Sequence, residues 1–295
     1  MKDVRKRSLE VCCINIVTHP HTKQSYIDLL KLSTELPSIQ IGEHEFVRIR
    51  HFKNTEYGDG VYRGVILKHL KITEDDNWLD DRTDSKADPS VVNNIIPEHL
   101  LPGLIEFEFV FYANNHRLFY TTKNIDGKSL SPNRAKNILE LILNNVIKEN
   151  DIDCKLYIHV ETSKFGVEEL FNLDVVQSIE YQITTPNPDD MTSLQAKLKQ
   201  RLEKQKIRQQ TTKLTAEKGH SIEPDDITKS EVIVASSNGY AKTTGKSYEG
   251  LVETKSTLDY PLIDKSKYSP KDFTLFQAMV KRSSVLLDEI INRFQ

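Results

Sequence analysis

Along residues 105–122, IEFEFVFYANNHRLFYTT, apolar and polar positions alternate as a strand requires. Ile105, Phe107, Phe109 and Phe111 fall on one face, and Glu106, Glu108, Val110 and Tyr112 on the other. Asn114-Asn115 is a turn signal, and Leu118 to Thr122 returns as the partner strand. The period then changes. Ser131-Pro132 reads as a helix start, with Ser as cap and Pro at the first helical position. Ala135, Ile138, Leu139, Ile142, Leu143 and Val146 share one face of that helix, which is a natural cover for the phenylalanines. The rings are therefore expected in a core rather than on a base-stacking platform, leaving His116 and Arg117 at the hairpin tip as candidates for ligand contact.

The same reading assigns strands to Leu9–Val17, Glu45–Lys53 and Val61–Ile72, with a helix at Lys23–Ser33. Further strands at Lys155–Thr162 and Ser178–Thr184 flank a short helix at Val167–Leu173. Hairpin, helix, strand, helix, strand predicts an α+β class, a mixed sheet with ferredoxin-like βαβ elements packed by helices. TTPNPDD at 184–190 reads as a boundary, separating a globular domain over 1–188 from a smaller helix-hairpin-helix domain over 189–295. The smaller unit combines a polar helix at 191–212, strands at Glu231–Ala235 and Tyr248–Thr254, and an apolar-faced helix at 270–294. It suits dimerisation.

Composition narrows the class. The chain has 295 residues, 38% hydrophobic and 28% charged, which is the balance of a soluble globular protein with a sizeable core. Its three cysteines offer neither metal spacing nor a disulfide framework, so a reducing compartment is expected. The basic N-terminus is too short in its apolar run for a signal sequence, and no stretch approaches the roughly 20 apolar residues of a membrane span. A cytoplasmic protein without membrane insertion is expected.

Net charge is -3, but the signs are segregated. Thr73–Asp88 carries seven acids against two bases, while Ser193–Lys218 carries eight bases against Glu203 and Glu217. Lys197, Arg201, Lys204 and Arg208 step by four, three and four, so they stack on one face of a helix and can follow a phosphate backbone. Arg48, Arg50, Arg63 and Lys68 lie on the early strands as a second basic region. No base-reading motif accompanies them, which points to binding indifferent to sequence. His19-Pro20-His21 offers two imidazoles to a metal, as in metal-dependent hydrolases, against the blander reading of two solvated loop histidines. Gly58-Asp59-Gly60 with Gly64 has the wrong spacing for a phosphate loop, and neither GxSxG nor a P-loop occurs. No enzyme and no cofactor are expected. A protein-interaction or scaffold component is the other alternative.

YRGVILKHLKI followed by DDNWLD, FEFVFYANNHRLFY, SLSPNRAKNILELILN, SIEYQITTPNPDD before the basic helix, and VIVASSNGYAKTTG before the last helix appear in this order over most of the chain. In this order of elements the sequence resembles the RexA-like phage-exclusion proteins, whose fold is similar to that of the recombination-associated protein RdgC. The resemblance implies a homodimeric, non-enzymatic protein that binds double-stranded DNA and acts in phage exclusion, with a protein partner in the defence system.

Overall fold

A computed structural model describes residues 6–71, 78–88, 91, 99–186 and 193–292. The chain is α+β, built on two antiparallel sheets joined by helices. The first is organised around β1 (Arg7–His19), which is long enough to hold different partners along its length. On one edge β8 (Arg117–Thr121) pairs from Val11 to Asn15, followed outward by β7 (Ile105–Tyr112), β4 (Val61–Leu70), β3 (Glu45–Asn54) and β2 (Ile39–Gln40). On the other, β14 (Ile263–Tyr268) covers Arg7–Cys12 and β9 (Lys155–Val160) covers Ile14–His19, end to end.

β8 and β9 therefore run in the same direction on either side of β1, with α2 (Pro132–Glu149) carrying the chain across. Every direct strand pair among the described residues is antiparallel, so the expected mixed sheet is not formed: hairpins and the split crossover leave no two parallel strands adjacent.

Each face of this sheet has its own cover. Phe107, Phe109, Phe111, Ile14, Ile49 and Ile66 pack beneath α1 (Lys23–Ser33) and α2, as the alternation predicts. Ser131 caps α2 by accepting from the Arg134 amide, with Pro132 in the first turn. Gly64 makes room for the aromatic face, since a Cβ there would lie 2.2 Å from Cζ of Phe109. On the opposite face Leu9, Val11, Cys13, Val110 and Phe119 meet Phe276, Met279, Leu286, Leu287 and Ile290 of α6 (Leu275–Asn292).

The second sheet runs β11 (Gln209–Thr215), β10 (Val175–Thr184), β12 (Gly239–Lys246), β13 (Val252–Ser256). Helices α4 (Ser193–Lys204) and α5 (Asp226–Asn238) cover one face around Ile179, Tyr181, Ile183, Leu198, Leu202 and Val232. A short α3 (Lys164–Glu169) precedes it. Two sequence expectations change here. The basic helix stops at Lys204 rather than Thr212, and Glu231–Ala235 lies inside α5, whose Asp225 cap accepts from the Thr228 amide at 2.7 Å. The expected 188/189 boundary does not divide the sheets: β10 joins strands that follow it, and β14 and α6 complete the first sheet. The acidic stretch is described from Trp78 to Asp88, where β5 (Leu79–Asp80) pairs with β6 (Ser85–Lys86). The parts of the sequence reading that fall on 72–77, 187–192 and 293–294 lie outside the described residues. Among the described residues no helix is long and apolar enough to cross a membrane.

Candidate nucleic-acid interface

Leu198 and Leu202 insert α4 into the second core, which turns its opposite side to solvent. Lys197, Arg201 and Lys204 occupy that side and are exposed, as is Arg208 beyond the helix. The helix ends in a Schellman motif. Lys206 is left-handed at φ 55°, its amide bonds to Glu203 O at 3.0 Å, and the Ile207 amide bonds to Leu202 O at 2.8 Å. That reversal takes Arg208 off the helical stripe and sets its guanidinium 5.5 Å from the Tyr157 ring centroid on β9. Arg201 reaches the side-chain oxygen of Gln210 on β11, and Lys199 pairs with Glu203 at 3.7 Å. Among the described residues none of Lys197, Arg201, Lys204 and Arg208 forms an ion pair. Lys213 adds an exposed cation on β11.

The early cations are placed differently. Lys68 pairs with Glu45 at 2.5 Å, and Glu45 also takes Arg134 at 2.5 Å, which holds its carboxyl below its ordinary range. Arg63 pairs with Glu108 at 3.0 Å and lies 4.9 Å over the ring of Phe276. Arg50 donates to the carbonyls of Ile49 and Leu36 at 2.8 and 3.1 Å. Cross-strand register puts Arg48, Arg50 and Arg63 on one face and Lys68 on the other. These four are not gathered into one surface, and the carboxylate partners of Arg63 and Lys68, distant in sequence, were invisible to a charge count.

At the hairpin tip Asn114 is exposed, but the two candidate side chains turn inward. His116, at φ 56°, and Arg117 are buried, so the expected ligand contacts are structural instead. The His116 ring centroid lies 4.2 Å from that of Tyr26 and 4.5 Å from that of His21. Burial, with the charges of His21 and Arg117 adding, lowers its pKa to about 3. Arg117 meets Glu161 at 2.8 Å, their side chains 4% and 0% exposed. Glu161 sits where β9 gives way to β14, bonded through its backbone to Cys13 and Leu262.

From this pair a polar clasp reaches the second sheet. Ser237 donates to Glu161 Oε2 at 2.7 Å, and Arg117 donates to Asn15 Oδ1 at 2.7 Å. The last carbonyls of α5, which have no partner within a helix, are taken by Thr162 (to Ser236 O, 3.0 Å), Asn15 (to Ser237 O, 2.9 Å) and Thr184 (to Asn238 O, 2.8 Å). Nothing in the local sequence around Arg117 or Glu161 announces this arrangement.

Each of the two candidate metal ligands uses one ring nitrogen in a hydrogen bond. His19 Nε2 lies 3.2 Å from Thr185 O, and His21 Nδ1 lies 2.8 Å from the Tyr26 hydroxyl. Among the described residues no group of three or more His, Cys, Asp or Glu is placed to hold a metal.

A family model described as "Domain of unknown function (DUF4747)" matches residues 7–284, so the chain belongs to that family. No curated protein matches it.

Proposed function

We propose that this member of the DUF4747 family binds double-stranded DNA without sequence readout, through the cationic side of α4 continued by Arg208, and acts non-catalytically in phage exclusion. The observation that carries the reading is the placement of Lys197, Arg201, Lys204 and Arg208: all exposed, and free of carboxylate partners among the described residues. Cations already paired to acids would have to break those pairs to meet phosphate, whereas these have only neutral partners, Gln210 beside Arg201 and the Tyr157 ring beside Arg208. Leu198 and Leu202 hold the helix by its other side, so the stripe is presented on a fixed support. The phage-exclusion setting and a homodimeric state follow from the RexA-like resemblance, and two copies would double the number of phosphates engaged.

The test is a mobility-shift assay with a duplex probe, comparing the native chain with Lys197→Glu, Arg201→Glu, Lys204→Glu and Arg208→Glu combined. Loss of the shifted band with an unchanged circular dichroism spectrum supports the reading. Unchanged affinity overturns it.

A further inference from the structure

The far edge of the first sheet carries a feature that the DNA reading does not use. β14 ends the sheet: β1 pairs along one side, and among the described residues no strand pairs along the other. Its side chains alternate. Ile263, Lys265 and Lys267 are exposed, while Asp264, Ser266 and Tyr268 lie on the α6 side, where Arg282 grips Asp264 at 2.5 and 2.6 Å. Between strand and helix runs a cavity of about 390 Å³, lined by Leu9, Tyr268, Phe273, Ala278 and Val285 among others. Lys281 stands at its rim, 5.0 Å from the Phe273 ring centroid. Phe273 and Val285 are 37% and 45% exposed, which leaves apolar surface open beside an open strand edge.

Charge decides what fits. Lys6, Lys265, Lys267 and Lys281 surround this edge. The acids beside them are Asp272 and Glu10, which is cross-strand from Lys265, while Asp264 is already held by Arg282. A second copy of β14 added antiparallel about Ser266 would set Lys265 against Lys267, a destabilising like-charge pair. Lysines on an edge strand deter such self-pairing, but they attract a strand of opposite charge.

We propose that β14 and α6 form a docking edge for an extended acidic segment of a partner protein. The segment adds as a new edge strand, its main chain bonding to β14, its carboxylates beside Lys265 and Lys267, and its alternate apolar side chains against Phe273 and Val285. The proposal stands apart from the DNA reading, since α4 contributes nothing to this edge.

The probe is a fluorescein-labelled octapeptide of alternating Glu and Val, titrated with the full chain and followed by anisotropy, with slowed amide exchange at Ile263–Tyr268 as a second readout. Two controls accompany it: the same peptide with Lys for Glu, and an acidic version with a central proline, which removes a main-chain donor. The native chain binds the acidic peptide and not the basic one. Lys265→Glu with Lys267→Glu weakens binding by about tenfold, and the proline does so on the native chain by a similar factor. The α4 quadruple variant binds the peptide as the native chain does.

No binding of the acidic peptide overturns the proposal. So does equal binding of the proline version, which would reduce the contact to charge alone. Protection of Ile263–Tyr268 by duplex DNA but not by peptide would assign the edge to nucleic acid and equally refute it.

Discussion

Replacing Glu161 with Gln tests the clasp between the two sheets with little change of shape. The native carboxylate is fully buried and 2.8 Å from an Arg117 guanidinium that is itself 4% exposed in its side chain. Removing the charge takes the Glu161 carboxylate from the Arg117 cation in a site that water does not reach, a loss of about 3–5 kcal/mol when one partner of a buried pair is deleted. Gln still accepts a hydrogen bond, so the lower end applies, about 3 kcal/mol. For a chain of this length that corresponds to a fall of roughly 6 °C in Tm. Replacing both partners, Glu161→Leu with Arg117→Met, removes the isolated charge and is expected to be less destabilising than the sum of the singles, with a coupling above about 1 kcal/mol. Calorimetry and urea titration of the singles and the double variant measure this. A Glu161→Gln variant within about 1 kcal/mol of the native chain, or strictly additive singles, would refute the argument.

Gly64→Ala puts a Cβ at 2.2 Å from Cζ of Phe109, and the ring is held by the core around it, so a loss of about 1–3 kcal/mol is expected in the same melts. Lys206→Gly relieves a left-handed residue at φ 55° and should stabilise the chain by about 1 kcal/mol, which a rise in Tm would register. Burial lowers the pKa of His116 and His159 from 6.5 to about 3, with cationic neighbours adding. As pH falls below about 6.5 the unfolded chain takes up these protons first, so stability declines from there toward pH 3, at a limiting slope of about 1.4 kcal/mol per pH unit for each histidine. Melts between pH 7 and 5 read the slope; His116→Leu should make it shallower, and a Tm constant over that window contradicts the assignment.

Where local period and capping agree, the fold was legible in the sequence. Phe107, Phe109 and Phe111 recur at every second position, Ser131-Pro132 starts a helix with a clean apolar face, and both elements appear with the faces expected. The failures have specific causes. Val232, Ile233 and Val234 favour strands by propensity, but the Asp225 cap and packing on β10 and β12 hold them in α5. The basic helix seemed to continue past Lys204 because its left-handed stop is a lysine, where sequence reading looks for glycine. β14, reading IDKSKY, has one apolar residue before its final tyrosine and owes its place to β1 and α6. The basic stripe was legible as residues, yet which cations are paired was not, since Glu45 meets Arg134 and Arg117 meets Glu161 only through the fold.

The central claim concerns the outer side of α4, and its most direct test is the salt dependence of duplex binding. Anisotropy titrations of a labelled duplex across several salt concentrations give the slope of log affinity against log salt, expected near -3.6 for one phosphate at each of Lys197, Arg201, Lys204 and Arg208. Two duplexes of unrelated sequence should give the same affinity and slope, and the four-fold Glu variant should lose both. Binding that does not respond to salt, or a variant that binds as the native chain does, would contradict the account.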